Sequence, residues 1–258
     1  MTVTQLSFGF VATPKSEVIA RFDALGVWMK SNADLELVGR PAPTYKELVA
    51  KMRDGSTDIA WLPPVALAWL AERVTPIGGI VRREKTTFAA ALVVREGSKL
   101  KELGDLKGVR AGWVDPWSAA GYVVPRLELA RAKIDPRQAF AKETFFGSHR
   151  EALLALGRDD VDVVGTYEGA WSEIEGLAVR TLATFGAIPP DVIAARRNLG
   201  PRELALTVSA FRAARASEAG REALRGVFDS DELRETVDPG HDVLRRAYER
   251  GIADGLFD

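Results

Sequence analysis

The sequence predicts an α/β protein that is built from two lobes. Apolar runs of strand length alternate with longer, helix-like segments along most of the 258-residue chain, and this alternation is typical of parallel sheets covered by helices. Two further apolar runs, 88–94 and 182–190, separate one α/β series from the next. We therefore expect the chain to leave the first lobe near one run and to return near the other.

The first lobe begins with a regular alternation of strands and helices. Thr44 and Glu47 have the spacing of a capping box, so the helix that opens at Tyr45 has the best-defined start. Strands are predicted at 5–10, 35–38 and 58–61. Helices are predicted between them, at about 16–30 and from 44 onward.

The second lobe contains two places where a short apolar strand breaks into a small polar residue that opens a helix. Ser118 follows a predicted strand at 110–114, and Ser148 with His149 follows one at 144–146. The first N–H groups of a helix have no partner within it, and the helix dipole is positive at that end. Two such ends side by side predict a site for a carboxylate-, phosphate- or phosphonate-sized anion.

The return to the first lobe is expected at residues 182–190, where two prolines interrupt any helix. From residue 201 onward the sequence is helical in character and is interpreted as scaffold. The predicted domains are a discontinuous lobe formed by 1–88 with 185–258, and an inserted lobe formed by 89–184 that carries the anion-binding helix starts.

Composition excludes several classes of function. The 35 basic and 36 acidic residues leave a net charge of −1, and no basic block exists to bind nucleic acid. The chain has no cysteine and only two isolated histidines, so we expect neither a metal site nor a cofactor. No run of 18 apolar residues is present, so no membrane insertion is expected.

The N-terminus has no basic segment ahead of its first apolar run, which itself reads as a strand. From this start we expect a cytoplasmic protein, or a periplasmic one if an export signal has been removed.

Four segments of the chain carry a family resemblance. They resemble segments of the substrate-binding proteins of phosphonate- and phosphate-type ABC uptake systems. The resemblance implies a two-lobed, periplasmic-binding-protein-like (class II) α/β fold with two hinge crossovers. It also implies that a small-molecule anion binds between the lobes, without catalysis, and that an ABC permease is a partner. The segments are PTYKELVAKMRDGSTDIAWLPP at 43–64, LKGVRAGWVDPWSAAGYVVP at 106–125, FFGSH at 145–149 and AIPPDVIAARRNL at 187–199.

The resemblance also assigns ligand contacts to eight positions. Ser118 occupies the first of three consecutive positions at which the family usually presents hydroxyl groups. Each missing hydroxyl removes a hydrogen bond worth about 0.5–1.5 kcal/mol, so phosphate, methylphosphonate and aminoethylphosphonate are expected to bind weakly. Acidic groups near 168 and 191 would meet a ligand's amino group. The eight positions are Tyr45, Phe88, Ser118, Ala119, Ala120, His149, Glu168 and Asp191.

Each of these residues also has an ordinary structural interpretation. Ser118 could be a simple helix cap, and His149 could be satisfied by a backbone carbonyl. Tyr45 on a first helical turn could be half-buried packing. Asp191 could cap a helix after Pro190, and a solvated helix start would explain the acidic residue at 168.

A different class of function stays open beside binding: a cytoplasmic enzyme or ligand sensor on the same fold, since fold does not fix function. His149 could then act as a general base. No second titrating residue stands at a motif-defined position, so no catalytic residue is predicted and the enzyme hypothesis is the weaker one.

Overall fold

The computed structural model describes residues 3–12, 16–82, 85–236 and 238–257. The chain forms two compact units. The first, unit 1, consists of Met1–Thr86 with Pro189–His241, and the second, unit 2, consists of Thr87–Ile188 with Asp242–Asp258.

Strands and helices alternate through most of the chain, as the sequence predicts. Short 3-10 turns occur at Ala71–Arg73, Leu103–Leu106 and Ala170–Glu173, and a π-helical turn at Ala119–Val123 leads into α4. In chain order the elements are β1 (Thr4–Val11), α1 (Glu17–Ala33), β2 (Leu35–Ala42), α2 (Tyr45–Arg53), β3 (Ile59–Leu62), α3 (Pro64–Leu70), β4 (Val74–Val81), β5 (Phe88–Arg95), β6 (Val109–Trp113), α4 (Val124–Arg131), α5 (Pro136–Ala139), β7 (Phe140–Phe145), α6 (His149–Gly157), β8 (Val163–Tyr167), β9 (Val179–Ile188), β10 (Val192–Arg196), α7 (Pro201–Ala216), α8 (Glu218–Phe228), β11 (Glu232–Arg234) and α9 (Gly240–Ala253).

Unit 1 contains a six-stranded sheet in the order β11-β4-β10-β3-β1-β2. β1 runs parallel to both β2 and β3, whereas β10 is antiparallel to β3 and β4. An aromatic cluster fastens the helices to this sheet: the ring of Phe8 on β1 lies 4.9 Å from Phe22 of α1 and 6.3 Å from Phe228 of α8. The predicted cap of α2 is confirmed, because Thr44 Oγ1 accepts the N–H of Glu47 at 3.2 Å.

A polar cluster joins β1 and β10 of unit 1 to the residue that precedes β3. Asp58 Oδ2 accepts both the N–H and the hydroxyl of Ser7, at 2.9 and 2.7 Å. Arg196 Nε donates to the other carboxylate oxygen at 2.9 Å. Burial raises the pKa of Asp58, but the hydrogen bonds from Ser7 and Arg196 outweigh it, and the net direction is downward.

Unit 2 contains a five-stranded sheet in the order β7-β6-β8-β5-β9. β6 runs parallel to β7 and β8, and β5 is antiparallel to β8 and β9. Helix α6 packs on this sheet through Leu153 and Leu156, which are fully buried with Val93 and Val164 of the strands.

The two apolar runs that predicted the crossovers are strands of unit 2. Residues 88–94 lie in β5 and residues 182–188 in β9, and these strands pair with each other from Phe88↔Ile188 to Arg95↔Val179. The boundaries between the units fall just before and just after this pair, at 86/87 and 188/189. Residues 90–94 of the inner strand β5 are buried, whereas in the edge strand β9 only Phe185 and Ile188 are buried. A short apolar run in the sequence does not by itself distinguish a strand from a connection.

The C-terminal segment also lies in a different unit from the one predicted. Residues 242–258 belong to unit 2, whereas the sequence assigned them to the first lobe. The reason is a buried arginine: Arg126 is 1% exposed and its Nε donates to the carbonyl of Leu256 at 2.6 Å. The ring of Phe257 lies 5.9 Å from that of Tyr122, and Arg126 sits over the same tyrosine ring. Arg126 also pairs with Glu143.

We predict that Arg126→Leu lowers the free energy of unfolding by about 3–5 kcal/mol, because it removes the donor to the Leu256 carbonyl and the ionic partner of Glu143, which keeps only the hydrogen bond from Trp113 Nε1–H. The control is Arg131→Gln, which removes an exposed pair with Glu128 and should cost less than about 0.5 kcal/mol. Urea unfolding followed by circular dichroism measures both. Equal losses in the two variants would contradict the description of Arg126.

A second prediction concerns pH. A carboxylate whose pKa is lowered on folding stabilises the protein above its unfolded pKa of about 3.9, and this contribution is lost as the pH falls through the folded pKa. Asp58→Asn should therefore destabilise the protein more at pH 7 than at about pH 3. A difference from wild type that is the same at both pH values, in urea titrations, would argue against a charged Asp58 in the fold.

Candidate functional site

Three parallel strands of unit 2 end at the same edge of its sheet. β6 lies between β7 and β8 and is parallel to both, so the segments that follow all three strands lie at their common carboxyl edge. Two backbone bonds continue the pairing beyond the strands: Phe146 N–H donates to the Trp113 carbonyl at 2.9 Å, and Gly147 N–H to the Val114 carbonyl at 2.8 Å. The two predicted helix starts are therefore neighbours.

The first helix start is the segment Asp115–Gly121, which we call the Ser118 loop. Ser118 Oγ accepts the N–H of Gly121 at 3.0 Å, and the Ser118 carbonyl accepts Val123 N–H at 3.0 Å, which makes the first turn a π turn. The cap interpretation of Ser118 is thus confirmed. Ser118, Ala119 and Ala120 are all buried, with exposed fractions of 3–4%.

Asp115 occupies two of the N–H groups of the Ser118 loop. Its Oδ1 accepts Trp117 N–H at 2.8 Å, and its carbonyl accepts Ser118 N–H at 2.9 Å. Burial raises the pKa of the Asp115 carboxyl, and the bond from Trp117 partly opposes this rise. The N–H groups of Ala119 and Ala120 lie in the first turn, where no acceptor is available within the helix.

The second helix start positions His149. Gly147 has φ +78°, a conformation that glycine adopts without strain, and this turn places Ser148 at the start of α6. Ser148 Oγ accepts the N–H of Glu151 at 3.1 Å. His149 Nδ1 is 2.9 Å from Thr166 Oγ1, and its ring packs edge-on at 4.8 Å from Tyr167. His149 Nδ1 therefore pairs with a buried hydroxyl of β8.

Two further candidates lie at the same edge. Glu168 directly follows β8, is exposed, and donates its N–H to the Ala89 carbonyl at 2.9 Å. Phe88, which is half-buried, opens the antiparallel strand β5 at this edge. The fold of unit 2 thus brings six of the eight candidate positions to one edge of one sheet.

The remaining two candidates, Tyr45 and Asp191, belong to unit 1. Tyr45 opens α2 shortly after the end of β2. Asp191 immediately precedes β10, whose first residue pairs with Leu62, the last residue of β3. Both positions lie at the carboxyl edge of the parallel strands of unit 1, which is the edge where open α/β sheets bind ligands.

Asp191 has two side-chain partners in unit 1. Its Oδ2 accepts Trp61 Nε1–H at 2.9 Å and Arg82 Nη2–H at 3.0 Å. The expectation that Asp191 caps a helix is wrong, because β10 follows it. The sequence did not identify Arg82 and Trp61 as partners of Asp191, because they precede it by 109 and 130 residues along the chain.

Two kinds of feature are absent from the described residues. In the part of the chain that the structure describes, no group of three or more histidine, aspartate or glutamate side chains could hold a metal ion. Among these same residues, no helix has the length and apolar character needed to cross a membrane.

We predict that Gly121→Ala distorts the Ser118 loop. An added Cβ would lie 2.6 Å from Val114 Cβ and 2.7 Å from Ser118 Oγ, so the free energy of unfolding should fall by about 1–3 kcal/mol. Gly186→Ala on β9 is the control, because its Cβ would meet no atom within 4 Å. Thermal melting of both variants measures the effect, and a melting temperature like that of wild type for Gly121→Ala would contradict the close packing.

Solved structures share this fold over nearly the whole chain. A binding-protein component of an ABC phosphonate transporter from Pseudomonas aeruginosa has 20% identity and a TM-score of 0.84, with 98% of this chain and 89% of that one covered. PhnD1 from Prochlorococcus marinus, solved in complex with methylphosphonate, has 16% identity and a TM-score of 0.79, with 98% of each chain covered. A Xanthomonas citri protein bound to chloride ion has 18% identity and a TM-score of 0.81, with 97% and 99% covered.

At these identities the likeness shows a common fold. A search of curated proteins gives no significant match. The model of one protein family, described as the periplasmic phosphonate substrate-binding protein of ABC transporters, matches residues 8–238. Both units thus lie largely within the match, and the chain belongs to the family of periplasmic phosphonate substrate-binding proteins of ABC transporters.

Proposed function

We propose that this protein binds a small organic anion as the substrate-binding component of an uptake system, without catalysis. The observation that carries this proposal is the pair of neighbouring helix starts at the carboxyl edge of unit 2, at Ser118 and at His149. First-turn N–H groups and the positive ends of two helix dipoles stabilise negative charge there. An ABC permease in the membrane is the partner, and the periplasm is the compartment.

The number of donors favours an acid group that carries a single charge. Asp115 already accepts two N–H groups of the Ser118 loop, and alanines at 119 and 120 provide no hydroxyl. The loop therefore offers the Ser118 hydroxyl and the N–H groups of Ala119 and Ala120. A doubly charged phosphate or phosphonate needs more donors to compensate for its lost hydration than a sulfonate or carboxylate does.

His149 is proposed as a ligand donor from the second helix start. Its bond to Thr166 fixes the position and orientation of its ring. A general base is commonly oriented by a carboxylate, whereas the partner of His149 Nδ1 is an uncharged hydroxyl. Tyr45, Phe88 and Glu168 are proposed as further contacts to the organic part of the ligand.

We predict that ethanesulfonate binds more tightly than ethyl phosphate, which has the same organic group but is mostly doubly charged at pH 7 because its second pKa is about 6. Isothermal titration calorimetry over a set of short sulfonates, carboxylates and phosphate monoesters provides the comparison. Tighter binding of the phosphate monoesters would contradict the single-charge proposal and leave anion binding itself intact.

The same titrations test the Ser118 hydroxyl. Ser118→Ala should weaken binding of the best singly charged acid by about 10- to 100-fold, since a hydrogen bond to a charged group is worth about 1.5–3 kcal/mol. Ser217→Ala is the matched control: Ser217 Oγ caps α8 by accepting Gly220 N–H at 3.0 Å, the same bond that Ser118 makes to Gly121. Equal affinities for the two variants would show that the Ser118 loop does not contact the ligand.

A further inference from the structure

The π turn that follows Ser118 determines the direction of the N–H groups in the Ser118 loop. Val123 N–H donates to the Ser118 carbonyl and Val124 N–H to the Ala119 carbonyl, each across five residues. In an α-helix the same N–H groups would bond to carbonyls four residues back. A change from π to α geometry would therefore alter the direction of the N–H groups of Ala119 and Ala120.

Tyr122 is the residue of this π turn whose ring is enclosed by its neighbours. It is 4% exposed, and its ring meets those of Trp113 at 5.6 Å and Phe145 at 5.0 Å, both edge-on. Trp113 and Phe145 are the last residues of β6 and β7. The bonds of a π turn close over one residue more than those of an α turn, so α geometry would rotate the ring out of this packing. The packing of Tyr122 therefore favours the π turn.

A hook formed by residues 254–257 follows α9 and turns the chain back. Gly255 has φ +66°, and its N–H donates to the Ile252 carbonyl at 3.0 Å. Leu256 N–H donates to the Gly251 carbonyl at 2.9 Å. These two bonds form a Schellman motif, which ends a helix with a left-handed residue, a conformation that glycine adopts without strain.

Phe257, which follows this reversal, lies against the ring of Tyr122. It is half-buried, and the two ring centroids are 5.9 Å apart. A Cβ added at Gly251 would lie 2.7 Å from Phe257 Cε2, so the ring packs on α9 at the place where the helix has no side chain. Arg126 Nε holds the backbone beside it through the Leu256 carbonyl, at 2.6 Å. The ring of Phe257 is thus fixed between α9 and the π turn, all within unit 2.

We infer that Phe257 is a positioning residue for the anion-binding edge of unit 2. By completing the packing around Tyr122, it keeps the Ser118 loop in its π turn and the N–H groups of Ala119 and Ala120 in one direction. A loop that is ordered before the ligand arrives loses less entropy on binding. This inference rests on the proposed function and deepens it: the affinity of the site depends on a segment that is distant from it in the sequence.

Phe257→Ala tests this role in the absence of any ligand. In the wild-type protein, NMR couplings across hydrogen bonds should join Val123 N–H to the Ser118 carbonyl. In the variant this coupling should disappear or move to the Ala119 carbonyl. Phe185→Ala is the matched control, because it makes the same truncation at a buried residue of the edge strand β9, and it should keep the coupling. A coupling that persists in folded Phe257→Ala, or is lost in both variants, would overturn the inference.

Calorimetry with ethanesulfonate measures the consequence for binding. Phe257→Ala should weaken binding by about tenfold or more, because the loop must then be ordered as the ligand binds, whereas Phe185→Ala should bind as the wild-type protein does. Phe257→Leu, which keeps an apolar side chain, should lie between them, and it takes the place of the alanine variant in both measurements if that variant does not fold.

The failure of this inference is distinct from the failure of the proposed function. An unchanged affinity for ethanesulfonate in a variant that has lost the π turn would overturn the inference while the proposed function stands. If the wild-type protein binds none of the short acids, the proposed function fails and the inference fails with it.

Discussion

The candidate site of unit 2 depends on the parallel alignment of β6, β7 and β8. Parallel strands have all their carboxyl ends at one edge, so the segments after them are neighbours although they are far apart in sequence. The alignment is maintained beyond the strands by the bonds from Phe146 and Gly147 to the carbonyls of Trp113 and Val114. Without this pairing, the helix starts at Ser118 and His149 would be two ordinary capped helices.

The selectivity of such a site follows from how its donors are already used. A backbone loop offers a fixed number of N–H groups, and each group that binds within the loop is lost to a ligand. Asp115 accepts two of them, and the alanines after Ser118 add no hydroxyls to replace them. In unit 1, Arg82 and Trp61 donate to the same carboxylate oxygen of Asp191.

Much of the fold and part of the site could be predicted from the sequence. The strand and helix order follows from hydrophobic periodicity. The starts of α2, of the π-helical turn before α4, and of α6 follow from Thr44, Ser118 and Ser148, whose side chains accept N–H groups three residues away. The placement of Glu168 and Phe88 at the edge that carries Ser118 could not be predicted from spacing, because it depends on which strands pair. The apolar runs at 88–94 and 182–190 did not show whether they formed strands or connections, and only the first of them is mostly buried.

The sequence by itself therefore determined the local features of this protein: its elements, its helix caps and the residue types available at each turn. These depend on interactions within a few residues, and the chain encodes them directly. Only the tertiary structure decided the long-range partners. Arg82 meets Asp191 across 109 residues, and Arg126 reaches the Leu256 carbonyl across 130. Pairs of this kind form where the packing of whole elements brings two side chains together, and no local pattern specifies that packing.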